Sequence, residues 1–156
     1  MSTKESNDVV LQKNQDGFFD IFLDSEGDIL TDNFLDTSLL RSIYAERRAS
    51  AAEMKVPEQR RGWIGNAEKV FEDGSKVWLF EQARLDLNTI NGIKSEIENG
   101  LEWLVDDEVA IDFQVDVIVT NELTLSANIK IQRSSSQVDN NFYPLFDNSG
   151  KYNYAS

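Results

Sequence analysis

The sequence predicts an α+β fold in which a small antiparallel sheet packs against two or three helices. Two observations carry this prediction. Apolar residues recur at three- and four-residue steps in two separate segments, which is the period of an amphipathic helix. Further along, apolar and polar residues alternate over two consecutive segments, as in strands with one buried face. With 156 residues, the chain is long enough for one domain with a sizeable core.

The first part of the chain predicts one strand and one helix. Residues 1–15 are polar for the most part, and we expect them to form a flexible N-terminal arm. The sequence FFDIFL (18–23) lies between turn residues and predicts a short strand. DSEGD (24–28) lacks the residue order of a calcium loop and is interpreted as a tight turn. Leu35 and Ile43, with an apolar residue midway between them, predict a helix.

A loop without helical or strand periodicity follows, from about residue 49 to 74. Loops longer than about 12–15 residues inside a domain are usually functional or disordered, and the apolar content here predicts an ordered docking loop. Arg60, Arg61 and Trp63 stand together in it. The arginines either offset nearby acidic residues, or they hold buried oxygens that pin the loop, or they grip a partner. Trp63 is the predicted apolar anchor, because Arg and Trp are enriched at interface hot spots.

The second half predicts two further helices and a hairpin. KVWLFEQA (76–83) is interpreted as a short helix, and a longer helix is expected from about Asn88 to Val105. Alternation over residues 111–131 predicts an antiparallel hairpin, which is the clearest structural signal in the chain. Because a lone hairpin is marginal in water, a third strand is needed. FFDIFL, the N-terminal strand, or an extended segment of another protein is expected to supply it.

The last residues, 134–156, are interpreted as a polar linker followed by an aromatic tail. Phe142, Tyr143 and Phe146 belong to that tail. Such a tail either folds back on its own domain or anchors in a neighbouring protein, and the sequence leaves both open. The expected domain therefore spans residues 16–133, between the arm and the linker.

Composition excludes several function classes. The chain carries 28 acidic residues against 15 Lys and Arg, a net charge of −13. This argues against nucleic acid and membranes as partners. The absence of Cys and His excludes thiol nucleophiles, disulfides, His-based triads and the usual zinc sites. No nucleotide-binding motif, signal-peptide segment or apolar run of about 18 residues is present. We therefore expect a soluble protein with no metal or cofactor.

Paired carboxylates are the remaining route to catalysis. A glycosidase needs two carboxyl groups at a defined separation, usually beside an aromatic platform. Glu102, Asp106 and Asp107 lie near Trp103 in sequence and are the candidates. Nothing in their spacing singles out a pair, and a solvated acidic face is the favoured explanation for them.

Four segments, in this order, resemble the phage Mu-like protein forty-six family. They are ERRA (46–49), RRGWIG (60–65), GSKVWLFEQARL (74–85) and LEWLVDD (101–107). With the hairpin that follows, the resemblance covers roughly residues 16–133. That family is similar to small baseplate proteins of contractile phage tails and of type VI secretion. The resemblance implies an α+β protein without enzymatic activity, located in the tail baseplate of a virion and assembled in the cytoplasm of a bacterial host.

The resemblance also implies partners, namely the tail sheath protein and the baseplate wedge and hub proteins. It implies that six copies form a ring and present a sheath-like β-sheet on which the sheath begins to assemble. In that family a Glu-Pro-Arg motif before the hairpin is linked to wedge binding. Here Glu108 matches the Glu, while Val109 and Ala110 replace the Pro and Arg.

The expected function is therefore structural, with a tail-associated lytic glycosidase or an acidic adaptor for a basic partner as alternatives. The predicted protein-interaction residues are Arg60, Arg61, Trp63, Glu108, Ile111, Phe113, Val115, Phe142, Tyr143 and Phe146.

Overall fold

The computed structural model of the chain describes residues 8–13, 15, 19–32, 35–56, 59–121, 124–133 and 136–147. The α+β fold class is confirmed. In chain order the elements are β1 (Asp8–Val9), β2 (Leu11–Lys13), β3 (Phe19–Ile21), β4 (Thr31–Asp32), α1 (Asp36–Tyr44), α2 (Leu87–Leu101), α3 (Trp103–Asp106), β5 (Asp112–Asn121), β6 (Thr124–Gln132) and β7 (Val138–Asp147).

The main sheet is antiparallel, with strand order β5-β6-β7. The predicted hairpin is present as β5 and β6, in a register that places Val115 opposite Ile129. The expected source of the third strand was wrong: the segment that pairs with β6 is β7, from the presumed linker and tail. The N-terminal strand β3 pairs with β2 instead. Residues 138–147 thus fold back on their own domain, whereas residues 148–156 lie outside the described part.

The N-terminal residues form two small antiparallel pairs, β1 with β4 and β2 with β3. Residues 8–13, expected within an arm, are therefore strands, and residues 1–7 of that arm lie outside the description. The DSEGD segment is a tight turn, as predicted. One carboxylate oxygen of Asp24 accepts the backbone N–H groups of Glu26 at 2.8 Å and Asp28 at 3.1 Å. That carboxylate is already bound by its own turn.

The hydrophobic core lies between the inner face of the main sheet and the helices. The predicted long helix is observed as α2 with the short α3 after it, and KVWLFEQA contains a 3-10 helix at Val77–Phe80. Burying each large aliphatic side chain contributes roughly 1.5–3 kcal/mol. The fully buried core side chains are Leu39, Ile43, Val77, Ile93, Ile97, Leu101, Leu104, Val115, Leu125, Ala127, Ile129, Ile131 and Leu145.

Helix α1 holds β7 in place at the edge of the sheet. The Tyr44 hydroxyl donates to the Pro144 carbonyl at 2.5 Å. The rings of Tyr44 and Tyr143 meet edge to face, with centroids 6.5 Å apart. Leu145 is fully buried, so β7 contributes side chains to the core as well as ladder hydrogen bonds.

We expect Leu145→Ala to lower the free energy of unfolding by about 2–5 kcal/mol, because it leaves a cavity in the core. Urea unfolding followed by tryptophan fluorescence measures this change. Phe142→Ala is the matched control on the same strand, since Phe142 is exposed, and it should cost less than about 1 kcal/mol. Equal small effects of the two variants would contradict the placement of β7 in the domain.

Candidate protein-interaction surfaces

The long loop is closed at its base by a parallel β-bridge between Glu46 and Ser75. The Arg47 N–H donates to the Ser75 carbonyl at 3.0 Å, and the Ser75 N–H donates to the Ala45 carbonyl at 3.0 Å. The buried Ser75 hydroxyl donates to the Ile43 carbonyl at 2.7 Å. That carbonyl belongs to the last turn of α1, where helix carbonyls lack intrahelical partners. One serine therefore joins the helix end to both ends of the loop.

Two further features fix the returning end of the loop. Gly74 has a φ of +97°, and a side chain there would place its Cβ 2.0 Å from the Ala45 carbonyl oxygen, so glycine is required. The amide of the buried Asn66 donates to the Asp73 carbonyl at 2.8 Å and accepts the Asp73 N–H at 2.9 Å. Specific hydrogen bonds therefore order this part of the loop.

Arg61 pins the loop from within the same chain. One guanidinium nitrogen lies 2.8 Å from the Glu81 carboxylate and another contacts the Glu46 carboxylate, while the group lies 5.1 Å from the Trp78 ring centroid. Partial burial lowers the pKa of Arg61, but the hydrogen bond and charge of Glu81, with the charge of Glu46, outweigh it and raise the pKa overall. Arg61 thus combines the first two interpretations, because it offsets two acidic residues of its own chain and in doing so pins the loop. Arg60 beside it is half-buried.

Trp63 also makes its main contacts inside the loop. The backbone N–H of Trp63 donates to the Glu46 carbonyl at 2.7 Å, and Lys69 Nζ lies 5.4 Å from the centroid of the Trp63 ring. The indole covers Gly65, where a Cβ would stand 2.4 Å from ring atoms. Arg61, Trp63 and Gly65 of RRGWIG therefore contribute to the structure of the loop itself. The Trp63 side chain nevertheless remains partly exposed.

Three large apolar side chains of the loop are almost fully exposed. Ile64, Val70 and Phe71 are 87%, 91% and 87% exposed. Val70 and Phe71 border an open groove of about 770 Å³ between the loop, α1 and the end of α2. Neither residue was among the candidates predicted from the sequence, although an adjacent Val-Phe pair inside a polar loop was a usable signal.

The carboxylates considered for catalysis line that same groove. Glu102, Asp106 and Asp107 are exposed on its wall, close to Trp103. The Trp103 indole N–H donates to the Ser42 hydroxyl at 2.9 Å, and its ring packs against the core. Trp103 therefore packs against the core, and its partly buried side chain also lines the groove.

The residues predicted on the sheet fall in different environments. Val115 and Tyr143 are buried in the core, and Phe113 packs against it. Ile111 is exposed just before β5, and Phe142 is exposed on the outer face of the sheet. The side chain of the last of these candidates, at position 146, lies outside the described part. Only the exposed members of this set can contact another protein directly.

Glu108 lies at the junction between α3 and β5, with a φ of +58°. This left-handed conformation costs a non-glycine residue roughly 1–2 kcal/mol. Its N–H donates to the Val105 carbonyl at 3.1 Å and so ends the helix, while its side chain is exposed. Backbone strain of this kind concentrates at functional positions, which keeps Glu108 among the candidates.

The two outer edges of the main sheet differ in chemistry. Within the described residues, β5 and β7 each pair only with β6. The edge of β7 contains Pro144, which has no N–H and whose carbonyl is bound by Tyr44. β5 spans ten residues without Pro or Lys. It carries Asp112 and Asp116 and has a register irregularity between Val119 and Asn121, but no proline interrupts its backbone, so β5 is the more open of the two edges for strand addition.

Glu53 makes a hydrogen bond and an ion pair near the start of the loop. Its carboxylate accepts the Ser50 N–H at 2.7 Å and pairs with Lys76 Nζ at 2.8 Å. The hydrogen bonds to Lys76 and Ser50 lower the pKa of Glu53 from 4.5 to about 2. The carboxylate therefore favours the folded state only while it is ionised.

These features define a small α+β protein with an ordered loop, an acidic groove and an unpaired strand edge on its surface. Within the described ranges, no helix is long and apolar enough to cross a membrane, and no group of three or more acidic residues is arranged to hold a metal ion. The chain belongs to the family described as Phage protein GP46, whose pattern it matches over residues 35–138. The predicted family is confirmed.

Two curated relatives are similar to this chain. One is "Baseplate protein gp46" of Escherichia phage Mu, 32% identical over 80 residues that cover 49% of this chain and 54% of that protein. The other is "Mu-like prophage FluMu protein gp46" of Haemophilus influenzae, 30% identical over 97 residues that cover 62% of this chain and 65% of that protein. The chain thus spans between about half and two thirds of the length of these relatives.

We expect Ser75→Ala to lower the free energy of unfolding by about 1–3 kcal/mol, because it leaves the buried Ile43 carbonyl without its hydrogen bond. Urea unfolding measures this loss. Ser95→Ala on the exposed face of α2 is the matched control, and it should leave stability unchanged or slightly higher. If both variants behaved alike, Ser75 would not be holding the base of the loop.

We expect Glu53→Gln to flatten the pH dependence of stability in acid. Because the folded pKa lies below the unfolded value, Glu53 contributes stability above about pH 4.5 and loses it as pH falls toward 2. Chemical unfolding at a series of pH values between about 5 and 2 measures the slope. Lys76→Met should flatten it in part, since Lys76 is the largest cause of the shift. An unchanged slope in Glu53→Gln would contradict the assignment.

Proposed function

We propose that this chain is a structural component of the baseplate of a contractile phage tail and that it acts without catalysis. Membership of the GP46 family supports this, together with the baseplate name of the phage Mu relative. The single structural observation that carries the proposal is that β5 is an edge strand, whose outer side pairs with no other strand of the described residues. The chain is accordingly a virion protein, assembled in the cytoplasm of the bacterial host.

The open edge fits a role in beginning sheath assembly. The inner face of β5 and β6 is covered by α2, so backbone N–H and C=O groups along the β5 edge are what the sheet can offer a partner. An extended segment of the tail sheath protein adds there as a further antiparallel or parallel strand. Ile111 and Ile118, both exposed, flank that edge and provide side-chain contacts.

Wedge and hub proteins are the proposed partners on the other surfaces. The strained and exposed Glu108 stands between α3 and β5, and the ordered loop carries Arg60 and Trp63. Six copies in a ring, each bound to a wedge, place one open β5 edge at every sheath position. The groove carboxylates do not favour a glycosidase over this role, because Glu102, Asp106 and Asp107 are all exposed, whereas a glycosidase needs two carboxyl groups in unlike environments.

The proposal is tested first on purified particles. The chain should be present in mature tails by mass spectrometry, and an in-frame deletion of its gene should give particles without an assembled sheath by electron microscopy. Tails that lack the chain, or normal sheathed tails after the deletion, would overturn the proposed function.

We expect Ile118→Lys to reduce the yield of sheathed tails about 10-fold or more, because a lysine on an edge strand opposes the addition of another strand. Ile118 is 41% exposed on the outer face of β5, so the domain should remain folded by circular dichroism. Val138→Lys is the matched control: it is 54% exposed on the same face of the opposite edge strand, β7. Equal losses from both variants would argue against β5 as the sheath-binding edge.

A further inference from the structure

Val70 and Phe71 are presented to solvent by an ordered backbone. The segment after them is held by the paired hydrogen bonds between Asn66 and Asp73, and the Arg47 guanidinium donates to the Glu72 carbonyl at 2.9 Å. Their high exposure is therefore a property of the folded loop. Single exposed apolar residues are ordinary on protein surfaces, but an adjacent pair at the rim of a groove marks a binding surface.

The groove beside this pair is acidic. Glu102, Asp106 and Asp107 line it, and no Lys or Arg of the described residues forms an ion pair with any of them. Two arginines line the groove as well: Arg41 lies 3.5 Å from Asp73, and the Arg47 guanidinium donates to the Glu72 carbonyl. Five carboxylates against two guanidinium groups leave the lining acidic, and those at the end of α2 and in α3 have no ion-pair partner among the described residues.

We propose that this groove, formed by residues 70–73, α1 and the end of α2, binds a protein segment that carries apolar side chains flanked by lysine or arginine. The apolar side chains cover Val70 and Phe71, and the basic ones pair with Glu102, Asp106 and Asp107. A second copy of the chain is disfavoured by its net charge of −13, and nucleic acid is disfavoured by the same carboxylates. This inference goes beyond the proposed function, because it concerns a different surface and a partner defined by charge.

The test uses a photo-crosslinking benzoylphenylalanine in place of Phe71, in cells that produce the particle. Ile64 is the matched control position, because it has the same 87% exposure on the same loop but does not line the groove. After irradiation, we expect position 71 to cross-link to one protein, through a peptide that mass spectrometry shows to contain apolar residues beside Lys or Arg. Position 64 should not yield that peptide.

Several results would overturn the inference. These are no cross-link from position 71, the same cross-link from position 64, or a cross-link to nucleic acid, to a second copy or to a segment without positive charge. Each of these results can occur while the chain is present in sheathed tails, in which case only the inference fails. Conversely, a basic segment can cross-link in cells whose tails lack the chain, in which case only the proposed function fails. Failure of this inference and failure of the proposed function are therefore distinguishable.

A second measurement uses a synthetic peptide of the cross-linked segment and purified chain. Phe71→Ser should weaken binding about 10-fold or more, because aromatic anchors carry much of an interface's affinity and this substitution removes one. Ile64→Ser should change the affinity less than about twofold. Joint Asp106→Asn and Asp107→Asn substitution should reduce the salt dependence of binding. If Phe71→Ser and Ile64→Ser bound the peptide equally, the groove would not be the binding site.

Discussion

The buried hydrogen bonds of Ser75 hold together the two ends of the long loop, and the other contacts of the loop depend on that closure. Bringing the ends of a loop together costs conformational entropy that rises only slowly with length, so one well-placed closure can support a long insertion. With the base fixed beside Ala45 and Glu46, the Glu46 carboxylate stands where Arg61 can reach it and its carbonyl stands where Trp63 can donate to it. The exposed residues of the loop are consequently carried on a framework and keep defined positions.

The ordered loop also determines which carboxylates of this acidic chain lie within reach of its few positive charges. Several basic side chains of the loop and its surroundings form ion pairs within the chain, where surface pairs contribute about 0.2–1 kcal/mol each but fix orientation. The carboxylates at the end of α2 and in α3 receive no such partner among the described residues. The acidic groove is therefore a consequence of where the cations are placed as much as of composition. The pairs concerned are Arg41–Asp73, Arg61–Glu46, Arg61–Glu81, Lys69–Asp73 and Lys76–Glu53.

The elements that the sequence predicted well are those in which burial repeats along the chain. The β5–β6 hairpin places every second residue against the core, and α2 places every third or fourth residue there. The spacing of apolar residues in the sequence therefore shows both elements directly. β7 was missed because only Tyr143 and Leu145 enter the core, with Pro144 between them. The loop contacts join partners such as Ser75 and Ile43 across 32 positions, and no local pattern records them. RRGWIG could be recognised as unusual, but only the fold shows that Arg61 faces its own chain.

The different chemistry of the two sheet edges bears on how such a protein can join others without polymerising. A three-stranded sheet with two open edges would add strands on both sides, and copies of the chain would pair with one another. β7 prevents this on one side, because Pro144 lacks an N–H and Tyr44 binds its carbonyl. In the proposed function strand addition is therefore assigned to β5, whereas the partner proposed for the acidic groove is recognised by charge and apolar contact instead of backbone hydrogen bonds. Because the two proposed surfaces select by different interactions, two partners would bind one copy without competing, as a connector between unlike neighbours requires.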